Sequence, residues 1–341
     1  MLHDSTRLKA IQMLVLCTAL WAVSFPTMKA LTLAQAALVP AGNSWFFSSL
    51  CVIYRFGLSA LVMLLLSART VKRLTRSEVA QGVGLGLFGG GGILLQMDGL
   101  AHTSASTSAF LTQCYSLFIP LWIASRERRW PTLKVAVCCA MVIAGVAILA
   151  RVDWRTLRMG RGEWETLLAS VLFMGQILWL QRPGYAGNNV NHFSWVMFAV
   201  MAVLCIPVAL FTAPQAADWF RAYSSPATLA FLGILVLFST LGGYMLMNHW
   251  QRYVTATEAG LIYCVEPVFA SALALFLPAL FSSWAGIDYA NEKVTASLLF
   301  GGGLITAANV LIQLPNLPYS KRQTRSGAIV AGPAQKPELP N

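Results

Sequence analysis

The chain has 341 residues, of which 57% are hydrophobic and only 11% charged, a balance that excludes an ordinary water-soluble globular domain of this length. The formal net charge of +11 raises nucleic-acid binding, but the basic residues are short clusters between apolar runs rather than a stripe or a basic domain, which excludes that class too. Lipid remains as the solvent for most of the chain.

Apolar windows fall at 10–30, 46–66, 79–100, 105–123 and 133–150, and again at 164–180, 193–211, 227–248, 257–281 and 295–314. Each approaches the roughly 20 residues that a membrane crossing needs. Windows of this length without strict alternation are helices, because backbone polar groups in hydrocarbon must be satisfied within the segment. The expected fold is therefore an all-α integral membrane protein with ten transmembrane helices.

The first window follows Arg7 and Lys9 as a signal peptide would, but it carries Trp21 and Pro26 and is followed by further apolar windows, which favours an uncleaved first helix. Trp21 and Ser24 are spaced to share a face there, so they can offer stacking and a hydrogen bond to a solute; packing or an interfacial belt is the other reading of the tryptophan. Lys29, after Pro26, either serves a solute or snorkels to the surface. In the second window Arg55 sits about ten residues deep and needs a carboxylate or carbonyl partner. Asp98, at the end of the third, and Glu266 are both candidates for an ion pair with it or for a coupling role; the other reading of Asp98 is a place near the membrane surface, where it needs no partner.

Gln113 and Ser116 lie in the fourth window, and Gln176 with Trp179 in the sixth, as further polar and aromatic groups able to face a solute; for Trp179 the favoured alternative is core packing or an interfacial belt. For Gln113, as for Tyr263, bridging between helices is the alternative to lining a cavity. In the ninth window Tyr263 precedes Glu266 by three residues on the same face. Pro267 beside the carboxylate removes an amide donor and loosens the helix. Glu266 then reads either as a proton-coupling or substrate-amine group, or as a carboxylate that ties a broken helix to its neighbours. Thr255 and Glu258 have the spacing of a capping box. Glycines 89–92, 242–243 and 301–303 are expected to permit close helix packing, lacking the strand context of a phosphate loop. All seven cysteines fall in apolar segments without metal-ligand spacing, so they read as small core residues. No metal or cofactor is expected.

Lys and Arg concentrate in alternate connections, at 69–76, 126–129, 182 and 252 and at both termini. By the usual bias of basic residues both termini are expected to be cytoplasmic. The connection 151–161 carries four arginines and breaks this pattern, with Asp153 and Glu163 as a partial offset. The segment 317–341 has lost apolar periodicity and is expected to be a disordered cytoplasmic tail.

Sliding the sequence on itself by 150 positions aligns Gly92 with Gly242, Met97 with Met247, Thr107 with Thr257, Ala109 with Ala259, Leu111 with Leu261 and Cys114 with Cys264. Helix boundaries superpose at the same offset, giving five-helix repeats over 1–150 and 151–316. Five is odd, so the second repeat must be inverted relative to the first. Gln113 and Ser116 then become the mates of Tyr263 and Glu266.

These residues resemble the EamA-like branch of the drug/metabolite transporter (DMT) superfamily. The marks are Trp21 to Phe25 in the first helix, Arg55-Phe56 in the second, Thr103-Ser104-Ala105 leading to Phe118-Ile119-Pro120, and Ala256 to Ala259 leading to Glu266-Pro267. The resemblance covers about 10–314. It implies secondary transport by alternating access, often export of amino acids, their derivatives or related metabolites, through a central cavity between the halves, and an inner-membrane location. The expected partners are a small-molecule substrate and the lipid bilayer, with homo-oligomer formation left open. Membrane enzyme and channel or structural protein are the competing classes; the sequence has no His-Glu-x-x-His or Gly-x-Ser-x-Gly motif to support the former.

Overall fold

The computed structural model describes residues 2–126, 128, 133–149 and 159–313. The basic connection around 127–132, most of the 151–161 connection and the 317–341 tail, on which the sequence carried expectations, lie outside the described residues.

The first apolar window is one stretch in two parts, α1 (Leu2–Ala22) and α2 (Ser24–Leu38), interrupted at Val23. Pro26 accounts for the break, since its ring nitrogen has no proton for the Ala22 carbonyl one turn earlier. Helix α3 (Ser44–Leu66) starts where the Asn43 side chain accepts the Phe46 amide at 2.8 Å. Helix α4 (Arg76–His102) opens on a capping box of Thr75 and Glu78. The fourth window is broken at Gln113 and Cys114 into α5 (Ala105–Thr112) and α6 (Tyr115–Arg126). Helices α7 (Leu133–Leu149), α8 (Arg161–Leu180), α9 (Val190–Thr212) and the short α10 (Asp218–Arg221) follow.

Helix α11 (Pro226–Ile234) runs through a π-helical stretch, Leu235–Tyr244, into α12 (Met245–Trp250). The expected capping box of Thr255 and Glu258 opens α13 (Ala256–Tyr263). A break before Glu266 leads to α14 (Glu266–Ala274), and a 50° bend to α15 (Leu277–Ala285). Pro267 again explains the break, having no amide for the Tyr263 carbonyl. Gly286 ends α15 with φ 65°, a left-handed cap that glycine adopts without steric cost. Helix α16 (Ala296–Gln313) closes the described chain.

No strand occurs among the described residues. Ten crossings are expected from the windows; by length and composition six helical stretches qualify, namely Thr6–Leu38, Ser44–Leu66, Arg76–His102, Ala105–Arg126, Val190–Thr212 and Pro226–Tyr253. The bent pair ending at Ala285 adds a seventh if it crosses as one, while α7 and α16 are shorter apolar helices.

The distribution of side chains is that of a protein solvated by lipid. Large apolar groups such as Leu65, Leu66, Leu210, Phe211, Leu299 and Phe300 are exposed, whereas Arg55, Gln96, Asp98, Gln113, Asn248 and Glu266 are buried. Six of the seven cysteines are buried, and none is in a disulfide. Helix α3 packs along α9, α4 lies against both α8 and α9, and α7 pairs with α16. Two of these pairings rest on glycine. A Cβ at Gly99 would come within 2.7 Å of the Gly162 carbonyl oxygen, and one at Gly145 within 2.7 Å of that of Gly301, so these backbones approach as no larger residue would allow.

Candidate substrate cavity

Around the two breaks, at 113–114 and 264–265, helices from both halves of the chain leave a small cavity of about 50 Å³. Seven lining residues precede the connection at 150–158 (Trp21, Ser24, Arg55, Ile93, Gln96, Thr112, Tyr115) and seven follow it (Phe173, Gln176, Ile177, Tyr244, Met247, Tyr263, Glu266). A broken helix can present polar side chains here because the irregular backbone lines a cavity rather than facing lipid.

One wall is aromatic. Trp21 lies 5.5 Å from Tyr244 and 5.4 Å from Tyr263, centroid to centroid, in edge and tilted arrangements. It reaches this place across Gly243, where an added Cβ would come within 2.5 Å of the indole Nε1. That Nε1 is buried and has no hydrogen-bond partner. The Tyr263 hydroxyl donates to Gln251 Oε1 at 2.8 Å, and Ser24 donates to the Trp21 carbonyl at 2.6 Å. Both hydroxyl protons are thereby engaged, leaving oxygen lone pairs and ring faces for a solute.

Glu266 and Gln113 meet across the two halves: Gln113 Nε2 donates to Glu266 Oε2 at 2.9 Å. The Gln113 backbone carbonyl also accepts from Asn309 of α16 at 3.4 Å, and its Oε1 is without a partner. Gln113 therefore holds the carboxylate from behind, while Glu266 itself lines the space. Gln96 likewise donates to Thr112 at 2.9 Å. The Gln176 amide is admitted by Gly89, where a Cβ would stand 2.5 Å from Nε2.

The structure separates the other expected site residues. Arg55 pairs with neither Asp98 nor Glu266; its Nε donates to Thr240 Oγ1 at 2.6 Å. Asp98, wholly buried, is instead paired with Arg161 at the start of α8, which also bonds Glu165 at 2.7 Å. This cluster of α4 and α8 lies outside the cavity wall. Trp179 is also outside it, stacked on Arg182 at 3.6 Å and set beside Phe88 and Tyr185. Three residues on a helix leave a net rotation of only about 60°; what draws Trp179 away from Gln176 is the space at Gly84 of α4, where an added Cβ would come within 2.1 Å of the indole ring. Lys29 donates to the Thr103 carbonyl rather than reaching free into solvent.

Sequence reasoning passed over Gln96, Tyr115 and Tyr244. Gln96 carries the same signal as Gln176, an amide in an apolar span. Tyr244 gives none, because its repeat mate at the 150 offset is Leu94. Glu292 accepts from the Ala105 and Ser106 amides at 2.7 and 3.3 Å and caps α5 from the α15–α16 connection.

The buried polar interior, apolar exterior and central cavity are those of a multi-pass helical membrane protein. Residues 8–151 match the model of the EamA-like transporter family, which bears out the resemblance read from the motifs. A relative from Archaeoglobus fulgidus, named as an uncharacterized transporter, is 24% identical over 308 residues, spanning 88% of this chain and 84% of its own. These matches point to a transporter rather than an enzyme. A solved structure carrying only the description "Crystal structure of protein" shares the fold, with a TM-score of 0.51 and 16% identity over 89% of this chain and 96% of the other.

Proposed function

We propose that the chain is a secondary carrier that moves small amphipathic metabolites, such as amino acids or their derivatives, outward across the inner membrane by alternating access. The observation that carries this reading is the Gln113–Glu266 hydrogen bond at the cavity, which joins the breaks of two helices that the 150-residue offset makes equivalent. Solute sites at the interface of inverted repeats, on interrupted helices, are the arrangement alternating access requires. In this reading 1–150 and 151–316 are inverted five-helix repeats giving ten crossings, with both termini and the 317–341 tail cytoplasmic.

The helix packing supports the repeat. Exchanging the halves maps α5 against α14 onto α13 against α6, and leaves the α3–α9 and α7–α16 pairs unchanged; all of these contacts are present. Trp21, Ser24, Gln176, Tyr263 and Glu266 would meet the solute, with Gln113 positioning Glu266. Asp98 and Trp179 take the structural roles their neighbours give them. A phosphate-bearing solute would call for several cationic donors, and Arg55 is the one cationic lining residue of the cavity among the described residues. Flux of a solute panel in proteoliposomes, with and without a proton gradient, tests the proposal. Gradient-dependent movement of amino-acid-like solutes is expected, and tightest binding of nucleotide sugars would refute it.

A further inference from the structure

Arg55 stands 1% exposed on α3, with its guanidinium in the cavity wall. Its Nε is held by Thr240, whose own proton goes to the Leu235 carbonyl at 3.0 Å within the π-helical stretch. Nη1 lies 3.5 Å from the Met28 sulfur, a weak acceptor, and the group sits over the Phe56 ring at 5.0 Å. No carboxylate among the described residues neutralises it. Asp98 is taken by Arg161, and Glu266, on the same cavity, accepts from Gln113 without pairing with Arg55.

A buried guanidinium without a counter-charge is costly in a membrane interior, and such groups usually face a substrate path or a partner. This one is oriented at one edge, through Nε, and its Nη groups meet no oxygen acceptor among the described residues, only the weakly accepting Met28 sulfur, so the fork that matches a planar carboxylate is not taken up by the protein. The π-helical turn adds to the case, since these wide turns recur at functional sites and here one supplies the oriented hydroxyl. We propose that Arg55 is the anchor for the carboxylate of the transported solute and that Thr240 is its positioning residue. The inference rests on the amphipathic-metabolite reading and narrows it to solutes bearing a single carboxylate.

The test uses the full-length protein in proteoliposomes and matched pairs of probes: phenylalanine, leucine and methionine, each against its amide. The amide keeps size and amine but loses the oxyanion. Wild type should favour at least one acid over its amide by about tenfold or more, the scale of one charge-assisted pair. In Arg55→Gln the ratio should fall to near one, with Arg55→Lys between, since an ammonium keeps the charge without the fork. Thr240→Val should lower the ratio severalfold by releasing Nε, and decides the matter if Arg55→Gln does not fold. Equal flux of acids and amides in wild type, or a folded Arg55→Gln with the wild-type ratio, would overturn the anchor alone. No flux of any pair would overturn the metabolite reading and the anchor with it.

Discussion

Replacing Glu266 by Gln separates the two roles that its place allows. The carboxylate accepts one hydrogen bond, from Gln113 Nε2 at 2.9 Å, and no cation is paired with it among the described residues. A glutamine at 266 has nearly the same volume and an amide oxygen that can accept the same bond, so stability should change by less than about 1 kcal/mol. Leucine at 266 is the contrasting variant. It would strand Gln113 Nε2 beside an Oε1 that already has no partner, at a cost of about 1–3 kcal/mol. Thermal unfolding in detergent measures both. In proteoliposomes the Gln variant, which cannot take up or release a proton, should lose gradient-driven flux by roughly tenfold or more if the carboxylate couples transport. A Gln variant with normal unfolding, unchanged flux and unchanged response to a proton gradient would leave Glu266 only the task of tying the broken helix together.

Cysteine labelling at Ser125 and Ser283, both exposed, with Cys139 replaced by serine, should report opposite sides of the membrane; labelling from one side refutes the inverted repeat. Alanine at Gln113 or Tyr263 should weaken substrate binding more than alanine at Leu111 or Leu261, two residues earlier and about 200° away around the helix, as measured by binding of the same solute panel. Arg161→Met should destabilise the fold by about 3 kcal/mol by leaving the buried Asp98 carboxylate unpaired, and Asp98→Asn should rescue it in a double-mutant unfolding measurement. Gly145→Ala should cost about 1–3 kcal/mol because the Gly301 backbone cannot give way. Gly303→Ala, with nothing within 4 Å of the added Cβ, should instead gain about 0.5–1 kcal/mol in the same unfolding assay.

What the sequence disclosed were the features that depend on composition and local chemistry. The apolar windows, the Thr255–Glu258 cap, the burial of the cysteines and the loosening at Pro267 each follow from a few neighbouring residues. Helix rotation does not. In lipid the outside of a helix is as apolar as its packed side, so the face of Trp179 or Tyr244 leaves no mark in the pattern. The partner of Arg55 was hidden for a further reason: a threonine hydroxyl 185 residues away is as ordinary a feature as a membrane sequence contains. Asp98 and Arg55 look like a pair on charge alone; only the meeting of α4 with α8 assigns the aspartate elsewhere.

The π-helical stretch Leu235–Tyr244 acts as a phase shifter. Each residue it accommodates beyond α-helical winding turns everything downstream by about 100° relative to an uninterrupted helix. One continuous span can thus serve two clients: Phe231 and Leu232, before the shift, join the apolar cluster with α2, whereas Tyr244, at its end, and Met247, after it, face the cavity. Periodicity extrapolated from either end misplaces the other. Removing a single residue from this stretch would leave the span nearly as long and as apolar as before, yet swing Tyr244 away from Trp21, so its function depends on residue count as well as on residue type.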